Sequence, residues 1–287
     1  MIKLRHILLL IASLLTTAAL TGCSQMALIN SKGTIASSER DLLLTAVFLM
    51  LIVVIPTIIL SLIVAWRYRK SNKAAKYRPE FGHSTILEAV WWTIPCIIIV
   101  ILAILTWVSS HRLDPYRPLN MKGKPLVIQA VSLNWKWLFI YPEQGVATVN
   151  YIQIPVHRQI EFMITSDGPM NSLEIPQLAG QIYAMAGMRT RLHFDANAVG
   201  SYMGLSTNYS GIGFSGMSFT VKATSEEDFN SWVQSIKSSA SPLTVEAFNK
   251  LAKPSENNPV AFYSAPANNL FGQLIMKYMM PGKNLLK

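Results

Sequence analysis

The sequence predicts a membrane-attached α + β protein: a two-helix transmembrane hairpin, then an external β-sandwich or Greek-key barrel, then a helical C-terminal segment. Three observations predict it. Two uncharged apolar runs, Leu42 to Ala65 and Ala89 to Ser110, each exceed the ~20 helical residues that cross a bilayer core. After Pro125 the pattern changes to strand-length apolar runs separated by Pro, Gly and Asn. Beyond Ser225, apolar residues recur at helical spacing. With 51% hydrophobic and only 14% charged residues in 287, the composition excludes a uniform soluble globule.

The elements follow in order. Residues 1–22 read as a lipoprotein signal peptide: Lys3 and Arg5 precede an apolar core, Ile7 to Leu20, that is too short to span. The core leads into Leu20-Thr21-Gly22-Cys23, so Cys23 is expected to be the lipidated N-terminus and 23–40 an anchored external segment. Transmembrane helices are predicted over 41–66 and 87–110. Between them, 67–86 carries Arg67, Arg69, Lys70, Lys73, Lys76 and Arg78 against Glu80, and a short basic loop of this kind stays in the cytoplasm. That orientation puts Cys23 and everything after Ser110 on the periplasmic side of a bacterial inner membrane, as the signal peptide independently requires. Much of the net charge of +10 therefore reports topology, and nucleic acid is not an expected partner.

The external domain, 111–224, contains no cysteine; the chain's two are Cys23 and Cys96, so packing alone must hold the domain. Its strands are read at LVIQAVS, WKWLFIY, YIQI, QIEFMIT, TRLHFDA and GMSFTVKA, as an antiparallel sandwich or Greek-key barrel. In WKWLFIY the aromatics Trp135, Trp137, Phe139 and Tyr141 alternate, which points to core packing. Residues 172–188 read as apolar loop. His193 alternates with Arg189, Arg191 and Asp195 and is placed on a solvated strand face. In 225–287, a helix starts at Thr224-Ser225-Glu226-Glu227-Asp228 and carries Phe229, Trp232, Val233 and Ile236. A second covers Thr244 to Ala252, and a final amphipathic one presents Leu270, Phe271, Leu274, Ile275 and Tyr278.

Two stretches carry a family resemblance. HSTILEAVWWTIP (His83 to Pro95) and NWKWLFIY (Asn134 to Tyr141) resemble the second-helix motif and the aromatic strand of subunit II of the haem-copper respiratory oxidases. The resemblance covers nearly the whole mature chain and implies a cupredoxin-like external domain. Copper-bearing members hold a two-copper centre with two cysteines, two histidines, a methionine and a glutamate carbonyl. In LSTNYSGIGFSGM, Leu205 to Met217, the cysteine positions fall on Ser206 and Ser210, the glutamate on Asn208, one histidine on Phe214 and the methionine on Met217. The upstream histidine falls on Asn171. Thiolate and imidazole hold copper; hydroxyls, a phenyl ring and one thioether do not. No metal is therefore expected in this chain.

The resemblance is thus to the quinol oxidase branch, and the tail PSENNPVAFYSAPANNLFGQLIMKYM is similar to that of cytochrome bo-type ubiquinol oxidases. It implies a proton-pumping complex in which haems and one copper sit in subunit I, further small subunits are present, and ubiquinol, or alternatively menaquinol, is the substrate. Cytochrome c is not an expected partner, since the external domain has no acidic excess to attract it. Glu88 is expected to close a capping box with Thr85 and, by the resemblance, to stand at the entrance of a proton channel. A rival reading, a copper-delivery or assembly lipoprotein with a cupredoxin-like domain, needs exposed Met or His clusters, which this sequence is expected to lack.

Overall fold

The computed structural model describes residues 26–76 and 80–280. The expected signal peptide and lipidation site at Cys23, Arg78 of the basic loop and the last seven residues lie outside them. The chain divides into two compact units, residues 41–114 and the flanking chain on both sides.

The first unit is made by α1 (Thr34–Arg67), which begins in the flanking chain, and α2 (Thr85–Arg112); both are long and apolar enough to cross a membrane. They extend several residues beyond the apolar runs, because their polar ends continue the helical hydrogen bonding outside the hydrocarbon-length core. Pro56 and Pro95 sit inside them. Such prolines are tolerated in membrane-spanning helices, where hydroxyls, neighbouring helices and local adjustment re-satisfy the backbone. The start of α2 differs from expectation. Ser84, not Thr85, is the N-cap and makes no side-chain cap bond, so Glu88 lies one place beyond the capping-box position.

The other unit is a two-sheet sandwich. One sheet has six strands in the order β11-β3-β2-β1-β5-β8, the other five in the order β4-β10-β9-β6-β7. In chain order they are β1 (Leu126–Leu133), β2 (Lys136–Tyr141), β3 (Val146–Val149), β4 (Tyr151–Pro155), β5 (Ile160–Ser166), β6 (Asn171–Ile175), β7 (Ala179–Ala184), β8 (Thr190–Phe194), β9 (Gly200–Ser206), β10 (Ser218–Thr224) and β11 (Ala261–Ser264). The sandwich is mixed, not purely antiparallel: β1 pairs parallel with β5, and β10 parallel with β4. Parallel neighbours arise here because the chain changes sheet between them, as between β3 and β4.

Between the sheets, Trp137, Phe139, Tyr141, Ile128, Phe162, Ile152, Leu173 and Phe219 form the main core. A second core lies on the outer face of the six-stranded sheet, where Leu133, Leu138, Ile140 and Val149 meet Phe248, Leu270, Phe271 and Leu274. These come from α4 (Val245–Leu251) and α5 (Leu270–Met279). Burial on both faces explains why β2 reads as a continuous apolar run. It also buries Lys136, whose ammonium donates to Leu251 O and Lys253 O at 2.8 Å, holding the C-terminal end of α4. α3 (Glu226–Ser239) starts as expected, with Ser225 Oγ accepting from Asp228 N at 3.1 Å and Phe229, Val233 and Ile236 buried.

Three sequence expectations fail here for physical reasons. Residues 172–188 are not a loop: β6 and β7 pair antiparallel there, with a register shift between Leu173 and Ile175. Their small and polar residues, such as Ser172 and Gly180, hid the strand pattern. Trp135 is not in the strand, since at φ 63° it belongs to the turn before β2. His193 is 3% exposed, not solvated. It lies on edge strand β8, but the chain at Pro115 covers it, and Pro115 O accepts from its backbone N at 3.2 Å and its Nδ1 at 3.0 Å.

The segment before α1 is docked onto the sandwich. Lys32 N donates to Gln177 O, and Asn197 N to Lys32 O, both at 2.7 Å. Gly33 packs so tightly against the backbone of Leu178 that a Cβ would collide with it. Asp195, 1% exposed, accepts from Thr34 N and from Thr34 Oγ1, each at 2.7 Å. A carboxylate from the residue just after β8 therefore caps the N-terminus of α1.

Candidate functional site

The loop after β9 is built around two indoles. Trp137, fully buried on β2, donates Nε1–H to Ser206 Oγ at 2.9 Å. Trp135, turned outward by its positive φ, donates Nε1–H to Ser210 O at 3.1 Å and lies across Gly213, where a Cβ would sit 2.6 Å from the ring. The chain then makes a 3-10 turn, Ile212–Gly216, and enters β10 through Met217.

Asn171, at the start of β6, joins the loop from the other side. Its Nδ2 donates to Met217 Sδ at 3.1 Å and to Ser210 Oγ at 3.3 Å, while its Oδ1 accepts from Ser172 N at 2.8 Å. Asn171 and Met217 are 1% and 2% exposed. The fold thus brings together Asn171, Ser206, Ser210 and Met217, four of the six positions singled out in the sequence. The other two lie at the rim: Asn208 donates Nδ2–H to Met170 O at 3.1 Å, and Phe214 stacks edge-on with exposed Tyr209, ring centroids 5.7 Å apart.

The chemistry of this cluster is neutral and already satisfied internally. It offers hydroxyls, one carboxamide and one thioether, and the thioether is occupied as a hydrogen-bond acceptor. Copper held for electron transfer needs thiolate and imidazole donors, so the residues present do not fit that group.

The second site candidate is Glu88 in the first turns of α2. Its Oε1 lies 2.5 Å from His83 Nδ1, with the two side chains 39% and 68% exposed. His83 lies in the loop before α2, one residue before the Ser84 N-cap. The spacing of five residues across a helix start, which lets a loop side chain fold back on the first turn, was the available clue.

Three protein-family models match the chain: "Cytochrome C oxidase subunit II, transmembrane domain" over residues 25–108, "Cytochrome C oxidase subunit II, periplasmic domain" over 143–224, and "COX Aromatic Rich Motif" over 237–282. The cytochrome bo(3) ubiquinol oxidase subunit 2 of Pseudomonas aeruginosa is 53% identical over 92% of this chain and 80% of its own length. The chain belongs to the ubiquinol oxidase subunit 2 family. The ubiquinol oxidase subunit 2 of Acetobacter aceti is 48% identical over 90% of this chain and 84% of its own length. The quinol oxidase subunit 2 of Bacillus subtilis is 39% identical over 90% and 81%. On this subunit 2 the transmembrane match covers α1 and most of α2, the periplasmic match runs from the turn before β3 through β10, and the aromatic-rich match covers α4, β11 and α5.

Proposed function

We propose that this subunit serves a proton-pumping ubiquinol oxidase of the aerobic respiratory chain, which oxidises ubiquinol and reduces dioxygen to water. Haems and one copper belong to subunit I in this reading, and the present chain holds no electron-transfer metal at the loop after β9. The observation that carries the reading is the Asn171–Met217–Ser210 cluster. A cupredoxin-like sandwich is kept while its metal-loop positions hold neutral groups hydrogen-bonded to one another, so the domain has no means of relaying electrons from cytochrome c. Its role is structural: it supports subunit I at the outer face of the membrane.

In the same reading Cys23 is the lipid-bearing N-terminus, and the basic loop after α1 lies in the cytoplasm, which places Glu88 at the cytoplasmic mouth of a proton path into subunit I. A carboxylate and an imidazole 2.5 Å apart can hold one proton between them and pass it inward. The identity to relatives named for ubiquinol favours that donor over menaquinol.

Purifying the complex through a tag on this chain tests the proposal. It should carry haem, extract with ubiquinone, and show no thiolate-to-copper(II) absorption from this subunit. A chain that purifies alone and without haem would refute it.

A further inference from the structure

Five of the 13 methionines fall in two stretches far apart in sequence, M-A-G-M (Met185 to Met188) and M-K-Y-M-M (Met276 to Met280). The first is a turn: Met188 N donates to Met185 O at 3.3 Å, and Gly187 supplies the φ of 74°. The second ends α5, where Met276, Met279 and Met280 share one helical face at positions i, i+3 and i+4.

The fold presses the two together. A Cβ on Gly187 would lie 3.2 Å from Tyr278 Cβ and 3.8 Å from Met279 Cγ, so glycine admits the end of α5 against the turn. Three consecutive residues, the last two of β5 and the one after it, fix both sides. Thr165 Oγ1 donates to Met185 O at 3.3 Å, and Ser166 bridges to Ala186. Asp167 accepts from Lys277 Nζ at 2.6 Å and from Tyr278 Oη at 3.0 Å. Yet Met188, Met279 and Met280 are 53%, 63% and 44% exposed, so core packing does not account for them. Contrary to the expectation from sequence, tertiary structure forms an exposed methionine cluster.

We propose that this junction is a Cu(I)-binding site, with thioether ligands from Met188 and Met279 and a third from Met185, Met276 or Met280. Thioether sulfur is a soft, neutral donor that selects Cu(I) over harder divalent ions. It carries no proton to displace, so binding is independent of pH, unlike that of histidine or carboxylate sites. Methionine's flexible chain lets the ligands close around the ion, while the anchors at Thr165, Ser166 and Asp167 hold the backbone in place. The adjacent Lys277 charge is already paired with Asp167. The ion binds and leaves as Cu(I), with no electron transferred.

The test titrates the detergent-purified complex with Cu(I), kept reduced by ascorbate, against a colorimetric Cu(I) chelator. The complex carrying Met188→Leu and Met279→Leu, which keep apolar volume, is the comparison. The wild-type complex should retain one more Cu(I) than the variant, equally at pH 5.5 and 7.5, with haem content and quinol turnover unchanged. The difference between the copper X-ray absorption of the wild-type complex after and before loading, which removes the contribution of the copper in subunit I, should show sulfur neighbours only. Equal retention by both complexes overturns the proposal, and so does nitrogen or oxygen ligation of the retained ion. Quinol turnover, measured separately, tests the assignment as an oxidase subunit.

Discussion

The side chain of Asn171 donates a hydrogen bond to the thioether of Met217 across 3.1 Å, joining β6 to the start of β10 in the interior of the domain. The same nitrogen reaches Ser210 Oγ, and Asn171 Oδ1 accepts from Ser172 N. One carboxamide thus satisfies three neighbours in a place where the family resemblance positions a metal ligand.

Asn171→Ala should destabilise the external domain by about 1–3 kcal/mol, because Ser172 N loses its acceptor in a buried setting. Thermal inactivation of the complex measures it. Asn171→Ser, which keeps a hydroxyl at the site, should recover part of the loss.

Asp195 caps α1 through both Thr34 N and Thr34 Oγ1. Asp195→Ala should cost about 1–2 kcal/mol of local stability, the scale of a lost N-cap. The effect should appear as faster amide exchange at Lys32 and Thr34, with exchange in β1 and β2 unchanged.

The carboxyl of Glu88 meets His83 at the start of α2. In assembled, reconstituted oxidase, Glu88→Ala should lower proton uptake and turnover together, and His83→Ala should lower them less. Unchanged turnover in normally assembled Glu88→Ala enzyme would reject the proton-path role.

Tyr278 has a pKa pushed up to about 12 by burial and by the Asp167 charge, from an ordinary value of 10.0. A raised pKa means the folded form keeps a proton the unfolded chain has lost. The stability this group contributes is therefore complete below pH 10 and falls as pH rises toward 12. Unfolding midpoints of the complex measured between pH 9 and 12 should fall more steeply than those of Tyr278→Phe.

Much of this was legible in the sequence where a single local pattern decides the structure. The apolar runs of α1 and α2, the Ser225 cap and the Leu270, Phe271 and Leu274 stripe all appear where periodicity places them. What stayed hidden depends on distant chain. His193 was read from its alternating neighbours as solvated, and Pro115 covers it. Strand β7 alternates exposed and half-buried residues around Gly180 and takes its identity from pairing with β6. At the site, that Ser206, Ser210 and Phe214 are not metal-binding residue types could be read directly. The hydrogen bonds that hold Ser206 and Ser210 required Trp135, Trp137 and Asn171 to be brought in from other strands and turns.

Oxygen consumption by the complex purified through this chain, with ubiquinol or reduced cytochrome c as the only donor, tests the central claim most directly. The account predicts rapid uptake with ubiquinol and none above background with cytochrome c. Sustained uptake with cytochrome c would contradict it.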